Sequence, residues 1–385
     1  MTSTPQPRPA IASLPAYVAG RPAPDFDTAV APAGAVARLL NLLAIRSHPL
    51  RGRDRPRTYK LSSNENPFPP PQPILDAVAT AATQVNRYPD FGCAELYAAI
   101  GEHLDLPVDW LVTGTGSVAV LYNLLQAFCG PGDEVVHAWR SFEAYPIAVN
   151  VAGATPVAVP LDASGRHDLD GMVAGVTART RAVLLCTPNN PTGPALSHAE
   201  VLGVVERVPS DVLVVVDEAY REFVRLDDPI DGVALVRSHP NVVVLRTFAK
   251  AFGLAGLRVG YGIARPEIAA PVRACSLPFG VSTIAQAAAI AALDCAAELG
   301  ERVDAIVAER DRVVAALHQQ GWILPDTQGN FIWLPLGDRA VEFGTRAEEA
   351  GAVVRPFADA GVRVTIGEPA GNDLFLDVAG AFLDR

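Results

Sequence analysis

Between residues 110 and 262 the chain repeats one pattern: a short β-rich run, a turn, then an alanine- and leucine-rich stretch of helical character. Seven runs carry it, WLVTG, DEVVHA, TPVAVPL, RAVLLCT, DVLVVVDEA, NVVVLRT and VGYGIA. Several are unbroken apolar segments that end on a polar residue, which is how strands read when both faces are covered. The pattern therefore predicts an α/β fold with a mostly parallel, seven-stranded sheet flanked by helices. Ligands of such sheets sit beyond the carboxyl ends of the strands. The polar residues that close the runs are thus the candidate site.

A length of 385 residues exceeds what one core usually serves, since single cores stop growing at roughly 250 to 300 residues. After Pro278 comes a long helical pattern from Ser282 to about Gln320, broken near Gly300. NFIWLPL, a helix over Arg339 to Ala350, AVVRPF, GVRVTIG and a last helix follow. These read as a smaller α/β domain. The expected division is an N-terminal arm (1–24), an insertion of unknown role (25–57), a large domain (58–275) and a small domain (276–385). The insertion pairs a short amphipathic helix, AVARLLNLLAI, with a basic loop, RSHPLRGRDRPRTYK; it is either an exposed excursion or a lid or partner contact.

The formal charge of −11 argues against a nucleic-acid partner, because phosphate backbones are bound through clustered cations. No apolar run approaches the roughly 18 residues that span a bilayer, and the N-terminal prolines replace the apolar centre of a signal peptide. The expectation is a cytoplasmic protein with no membrane partner. Five scattered cysteines, Cys93, Cys129, Cys186, Cys275 and Cys295, form no C-x-x-C pair, which predicts reduced thiols and no metal site.

Of the 31 basic residues only Lys60 and Lys250 are lysines; the other 29 are arginines. A guanidinium stays protonated, whereas a lysine amine can lose its proton and condense with a carbonyl. Lys60 fits a surface loop, but Lys250 follows VVVLRTF at the binding end of a buried run. Schiff-base chemistry with an aldehyde cofactor is the expectation. Pyridoxal phosphate would need a phosphate cradle, a carboxylate for its ring nitrogen, donors for its phenolic oxygen and a flat neighbour. Asp217 ends a buried run, where an anion needs a cationic partner, and Tyr220 follows closely. Asn190 of CTPNNPTG can donate to the phenolic oxygen. The amides of Gly116, Ser117 and Val118 would open a helix toward an anion. Thr247 and Arg258 could complete the phosphate site, and Phe142 offers the stacking face.

Three rival readings are weaker. GTGSVA fits a dinucleotide fingerprint of a nicotinamide dehydrogenase, but the acidic residues Asp133 and Glu134 precede the second run instead of closing it. VLVVVDE resembles the strand that holds magnesium in P-loop proteins, yet neither lysine has the G-x-x-x-x-G-K-[ST] context. A non-catalytic binding module would be expected to lose the lysine or gain a DNA-binding extension.

The motifs LPAYVAGRP, LSSNENPF, NRYPDFGCAEL, GTGS, WRSFEAYP, TPNNPTG, DEAY, RTFAKAFGLAGLRVGY, NFIWLPL, VVRPF and GVRVTIGEPAGND cover nearly the whole chain apart from 25–57. Together they resemble the fold-type I, pyridoxal-phosphate-dependent aminotransferases. The chain is most similar to the histidinol-phosphate aminotransferase family and, within it, to the aromatic amino acid (phenylalanine) branch. The resemblance implies that Lys250 bonds the cofactor, Asp217 its ring nitrogen, and Asn190 and Tyr220 its phenolic oxygen. Thr247, Arg258 and the amides of residues 116–118 would hold the phosphate. Tyr88 would reach the phosphate of a neighbouring subunit, which implies a homodimer with shared sites. Arg363 would clamp the substrate α-carboxylate.

Tyr17, Asn64 and Arg355 would line the substrate side, with packing, turn formation and a solvated charge as their plain alternatives. The expected activity moves an amino group between phenylalanine or tyrosine and a 2-oxo acid such as 2-oxoglutarate. Histidinol phosphate is the alternative substrate, and decarboxylation of a phospho-amino acid is a remote one. Two positions depart from the family: Ala249 stands where serine often precedes the lysine, and Val118 and Ala119 stand where acidic residues often follow GxGS.

Overall fold

The computed structural model describes residues 58–383; the expected arm with Tyr17 and the expected insertion at 25–57 lie outside the described residues. A two-residue strand, β1 (Tyr59–Lys60), and the helices Gln72–Ala82 and Ala94–Leu104 precede the repeating region. All seven runs then form strands: β2 (Leu111–Gly114), β3 (Glu134–Trp139), β4 (Thr155–Pro160), β5 (Thr180–Cys186), β6 (Leu213–Asp217), β7 (Val242–Thr247) and β8 (Gly260–Ile263). They make one sheet in the order β2-β8-β7-β6-β5-β3-β4. Four neighbouring pairs are parallel, and only β8 runs against both of its neighbours.

The unbroken apolar runs are explained by two covered faces. Along β6, Val214 and Val216 join the cluster that contains Ile74, Leu96, Ile100 and Ala288 from three helices. Leu213 and Val215 point the other way, into a cluster with Leu121, Leu124, Val149 and Val272. Each fully buried Val or Leu side chain stabilises the fold by about 1.5–3 kcal/mol, so a polar residue inside either run would be selected against.

A second sheet is built from β9 (Phe331–Gly337), β11 (Arg355–Phe357) and β12 (Ala360–Thr365), antiparallel in the order β11-β12-β9. Its cluster includes Phe331, Phe343, Phe375 and Phe382. Strand β1 pairs in parallel with β10 (Ala352–Val353), and the stitching continues as Leu61 N–H donates to Val353 O (2.8 Å) and Thr365 N–H to Leu61 O (2.9 Å). Residues 59–64 are thereby tied to the second sheet.

The helical pattern from 282 to 320 breaks at Cys295 and not near Gly300. The helices Thr283–Asp294 and Ala296–Gln319 meet there at a bend of 82°. Gly300 is accommodated inside the second helix, where a glycine weakens but does not end a helix. The bend follows from burial: Ala285, Ala288, Ala289 and Ala292 serve the large-sheet cluster, whereas Val303, Ile306, Val313 and Leu317 serve the cluster of the second sheet. Among the described residues, no single helix is long and apolar enough to cross a membrane.

Candidate active site

The sheet order brings the ends of β2, β3, β5, β6 and β7 to one edge. Because β8 is antiparallel, its beginning lies at that same edge, with Gly260 beside both Thr247 and Gly114. Arg258, two residues upstream, is therefore delivered to the carboxyl ends of its neighbours. A cavity of about 650 Å³ opens there, and it is lined by Gly116, Ser117, Val118, Phe142, Asn190, Asp217, Tyr220, Thr247, Lys250, Arg258, Arg355 and Arg363. Twelve of the candidate residues thus share one space.

At one end, the helix Ser117–Phe128 starts at Gly116 with φ 88° and without a side-chain cap. Its first amides and the positive end of its dipole face the cavity, as in anion sites generally. A Cβ on Gly116 would lie 2.6 Å from Arg258 Nη2, and one on Gly260 would lie 2.4 Å from the Ser117 nitrogen. Gly260 is required by close approach of the Ser117 backbone, and Gly116 by its positive φ. Thr247 Oγ1 accepts from the Ala249 amide (3.1 Å), which orients the hydroxyl at the cavity wall.

Asp217, 7% exposed, is held by the Tyr145 hydroxyl, which donates to Oδ2 (2.8 Å). Its Oδ1 is buried and has no partner in the protein. Burial pushes the carboxyl up to about 6, against the opposing bonds from the Tyr145 hydroxyl and the Ala219 amide. Loss of water around Lys250, reinforced by the Arg363 charge, brings its ammonium down to about 7. The Lys250 amine donates to the carbonyls of Ser63 (3.1 Å) and Asn64 (3.2 Å). Those carbonyls come from the segment that β1 ties to the second sheet.

Asn64 is fully buried with φ 53°. Its amide side chain donates to the Tyr220 hydroxyl (3.0 Å) and accepts from Thr365 Oγ1 (3.1 Å). It does not line the cavity wall directly; it fixes Tyr220, whose hydroxyl burial keeps well protonated. Arg363 donates from Nη1 to Asn190 Oδ1 (2.6 Å) and from Nη2 to Ser62 O (2.7 Å). Arg355 is not a solvated charge: its Nη2 lies 2.9 Å from Glu143 Oε2.

Tyr88 lies elsewhere. It is 82% exposed and stacks on Phe279 at 4.7 Å, with Phe91 edge-on to the same ring. All five cysteines are free; Cys186 lines the cavity, and burial holds it as a thiol. Tyr145, Glu143 and the carbonyls of Ser62 and Ser63 escaped the sequence reading. WRSFEAYP contains both Glu143 and Tyr145, but nothing local shows that the helix Ala144–Ala152 turns Tyr145 under a carboxylate 72 positions away.

The donor set fits a pyridoxal phosphate. An orphaned buried carboxylate oxygen suits a protonated ring nitrogen, an uncapped helix start suits a phosphate, and a lysine near neutrality suits an aldehyde. The model of the aminotransferase class I and II family matches residues 56–378. The chain belongs to that family and is a transaminase.

The relatives narrow this further. An aromatic amino acid aminotransferase from Streptomyces avermitilis is 56% identical over 327 residues, covering 85% of this chain and 91% of that one. One from Rhodococcus jostii is 50% identical over 328 residues, covering 85% and 91%. Among solved structures, a histidinol-phosphate aminotransferase from Sinorhizobium meliloti in complex with pyridoxal-5'-phosphate matches with a TM-score of 0.82 and 26% identity, covering 99% of both chains.

Proposed function

We propose that the chain uses pyridoxal 5'-phosphate to move an amino group between an aromatic L-amino acid, phenylalanine or tyrosine, and a 2-oxo acid such as 2-oxoglutarate. The observation that carries the cofactor assignment is one cavity holding both Lys250, titrating near 7, and the unpartnered Asp217 Oδ1. The aromatic substrate is supported by the relatives' names and by Phe357 and Tyr122 in the cavity wall.

When bound, the cofactor supplies an electrophilic aldehyde carbon and a ring that accepts an electron pair. Asp217 Oδ1 would hold a proton on the ring nitrogen, and Tyr145 keeps that carboxylate oriented. Asn190 and Tyr220 would hold the phenolic oxygen, Phe142 the ring face, and Ser117, Val118, Thr247 and Arg258 the phosphate. Lys250 would bond the aldehyde carbon through Nζ, and its free amine would take a proton from the substrate Cα. A group near pKa 7 does both at neutral pH. Arg363 presents two N–H groups in a fixed fork to the α-carboxylate.

We further propose a homodimer in which Tyr88 reaches the partner's phosphate site. The exposed Tyr88, Phe91 and Leu277 (82%, 66% and 75%) are supported as its buried face. The division into 58–275 and 276–385 belongs to the same reading, with the helix Thr283–Asp294 docked on the larger unit, and so does a cytoplasmic location.

Borohydride reduction followed by peptide mapping should place a pyridoxyl group on Lys250. The substrate is tested by mixing the enzyme singly with phenylalanine, tyrosine, glutamate and histidinol phosphate and following the absorbance of the bound cofactor. Conversion by histidinol phosphate and not by either aromatic amino acid would replace the aromatic reading with the histidinol-phosphate one.

A further inference from the structure

Thr365 on β12, Asn64, and Tyr220 in the turn after β6 are buried next to one another, and their hydrogen bonds can be ordered atom by atom. The Asn64 backbone N–H donates to Thr365 Oγ1 (2.8 Å); a backbone amide nitrogen can only donate. The Thr365 hydroxyl thus accepts on that side, and its own hydrogen goes to Asn64 Oδ1 (3.1 Å). Turning the Asn64 amide over would leave this buried hydroxyl hydrogen with no acceptor among the described residues, which is unfavourable. With Oδ1 committed to Thr365, Nδ2 faces Tyr220 and donates to its hydroxyl (3.0 Å). Tyr220 Oη is therefore an acceptor on the Asn64 side, and its hydrogen is left for the cavity that Tyr220 lines. Edge-on packing of Phe331 at 5.0 Å holds the ring in place.

Resting on the reading of this cavity as a pyridoxal phosphate site, we propose that Thr365 and Asn64 are positioning residues: through a one-way hydrogen-bond chain they commit the Tyr220 hydroxyl to donate to the cofactor's phenolic oxygen. The chain runs from the second sheet to the edge of the large one, so the seating of the second sheet sets the donor. Asparagine meets two demands here. Its φ of 53° is a left-handed conformation that asparagine adopts more readily than most residues, and its amide both accepts and donates. A hydrogen bond to an anion favours the anionic form, and one whose donor is itself backed by another donor is stronger. Breaking the chain should therefore disfavour the anionic phenolic oxygen and raise the pH at which the bound cofactor's absorbance changes.

The test is an absorbance titration against pH of the cofactor-loaded parent and its variants. Tyr220→Phe should raise the midpoint by about one pH unit. Asn64→Gly keeps the left-handed backbone and the Asn64 carbonyl that accepts from Lys250 (3.2 Å), and removes only the amide. It should raise the midpoint by about half a unit or more. In the double variant the midpoint should match that of Tyr220→Phe to within about 0.2 unit, because both changes act through one hydroxyl. Thr365→Val should raise the midpoint as Asn64→Gly does, and Thr365→Ser, which keeps the hydroxyl, should retain the parent value. The Thr365 pair reads the chain without needing Asn64→Gly to fold.

A parent-like midpoint in folded, loaded Asn64→Gly overturns the proposal, as does a double variant whose shift is the sum of the two single shifts. Equal midpoints in Thr365→Val and Thr365→Ser overturn it too. Failure of the broader reading is separate: pyridoxal phosphate would then give the parent protein neither a bound-cofactor absorbance nor a borohydride-stable adduct on Lys250.

Discussion

Asp217 should make the cofactor-free protein less stable than it could be. The carboxyl is 7% exposed, only Oδ2 has a partner, and burial raises its pKa from 3.8 to about 6. That shift is worth about 3 kcal/mol between the two protonation states. The folded state keeps a proton that the unfolded chain has released between pH 3.8 and about 6, so the group's contribution is fully present below that window and lost as pH rises through it. Above pH 7 the folded protein carries the whole penalty.

Asp217→Asn removes the charge and keeps an oxygen to accept from Tyr145. It should stabilise the cofactor-free protein by about 1–3 kcal/mol at pH 8, and by much less at pH 5, where Asp217 is largely protonated. The same change should lower kcat by about a thousandfold, because a neutral amide cannot hold the ring nitrogen in its charged form. Urea titrations of both proteins at pH 5, 6.5 and 8 give the difference directly. A variant less stable than the parent at pH 8, or a difference that ignores pH, would refute the desolvation argument. Adding pyridoxal phosphate should then stabilise the parent more than the variant.

Four further outcomes are expected. Lys250→Arg keeps a positive charge but should show no turnover and no borohydride-stable pyridoxyl adduct; steady-state activity would remove Lys250 from the chemistry. Arg363→Lys loses the two-pronged donor while retaining charge, and should cut kcat/KM for phenylalanine about a hundredfold, measured in steady state. Gly116→Ala places a Cβ 2.6 Å from Arg258 Nη2 at a positive φ, and equilibrium dialysis should show cofactor affinity lowered at least about tenfold. Glu218 and Arg246 form an ion pair (2.8 Å) with side chains 2% and 5% exposed; Glu218→Gln leaves a buried cation and should cost about 3–5 kcal/mol in urea unfolding.

Much of this molecule is written locally. Six of the seven strands are buried on both faces, β4 with Thr155, Ala158 and Pro160 exposed being the exception, and burial is a property a short segment displays by itself. Lys250 stood out because arginine supplies nearly every other cation, and Asp217 because a carboxylate closing a buried run needs a partner. Neither inference needed a neighbour in space.

Other features depend on pairings between distant segments. The reversed direction of β8 brings Arg258 to the common edge, and Gly260 lets β8 and the helix start approach. The register of β11 with β12 makes neighbours of Arg355 and Arg363, and Glu143 reaches Arg355 from the turn that follows β3. Tyr145 reaches Asp217 from a different strand-to-helix turn. Composition and periodicity report whether a residue is buried, since hydrophobic transfer acts on each side chain where it stands. They carry no record of which buried or charged groups meet, because strand order, direction and register are settled by the sum of long-range contacts in the folded chain.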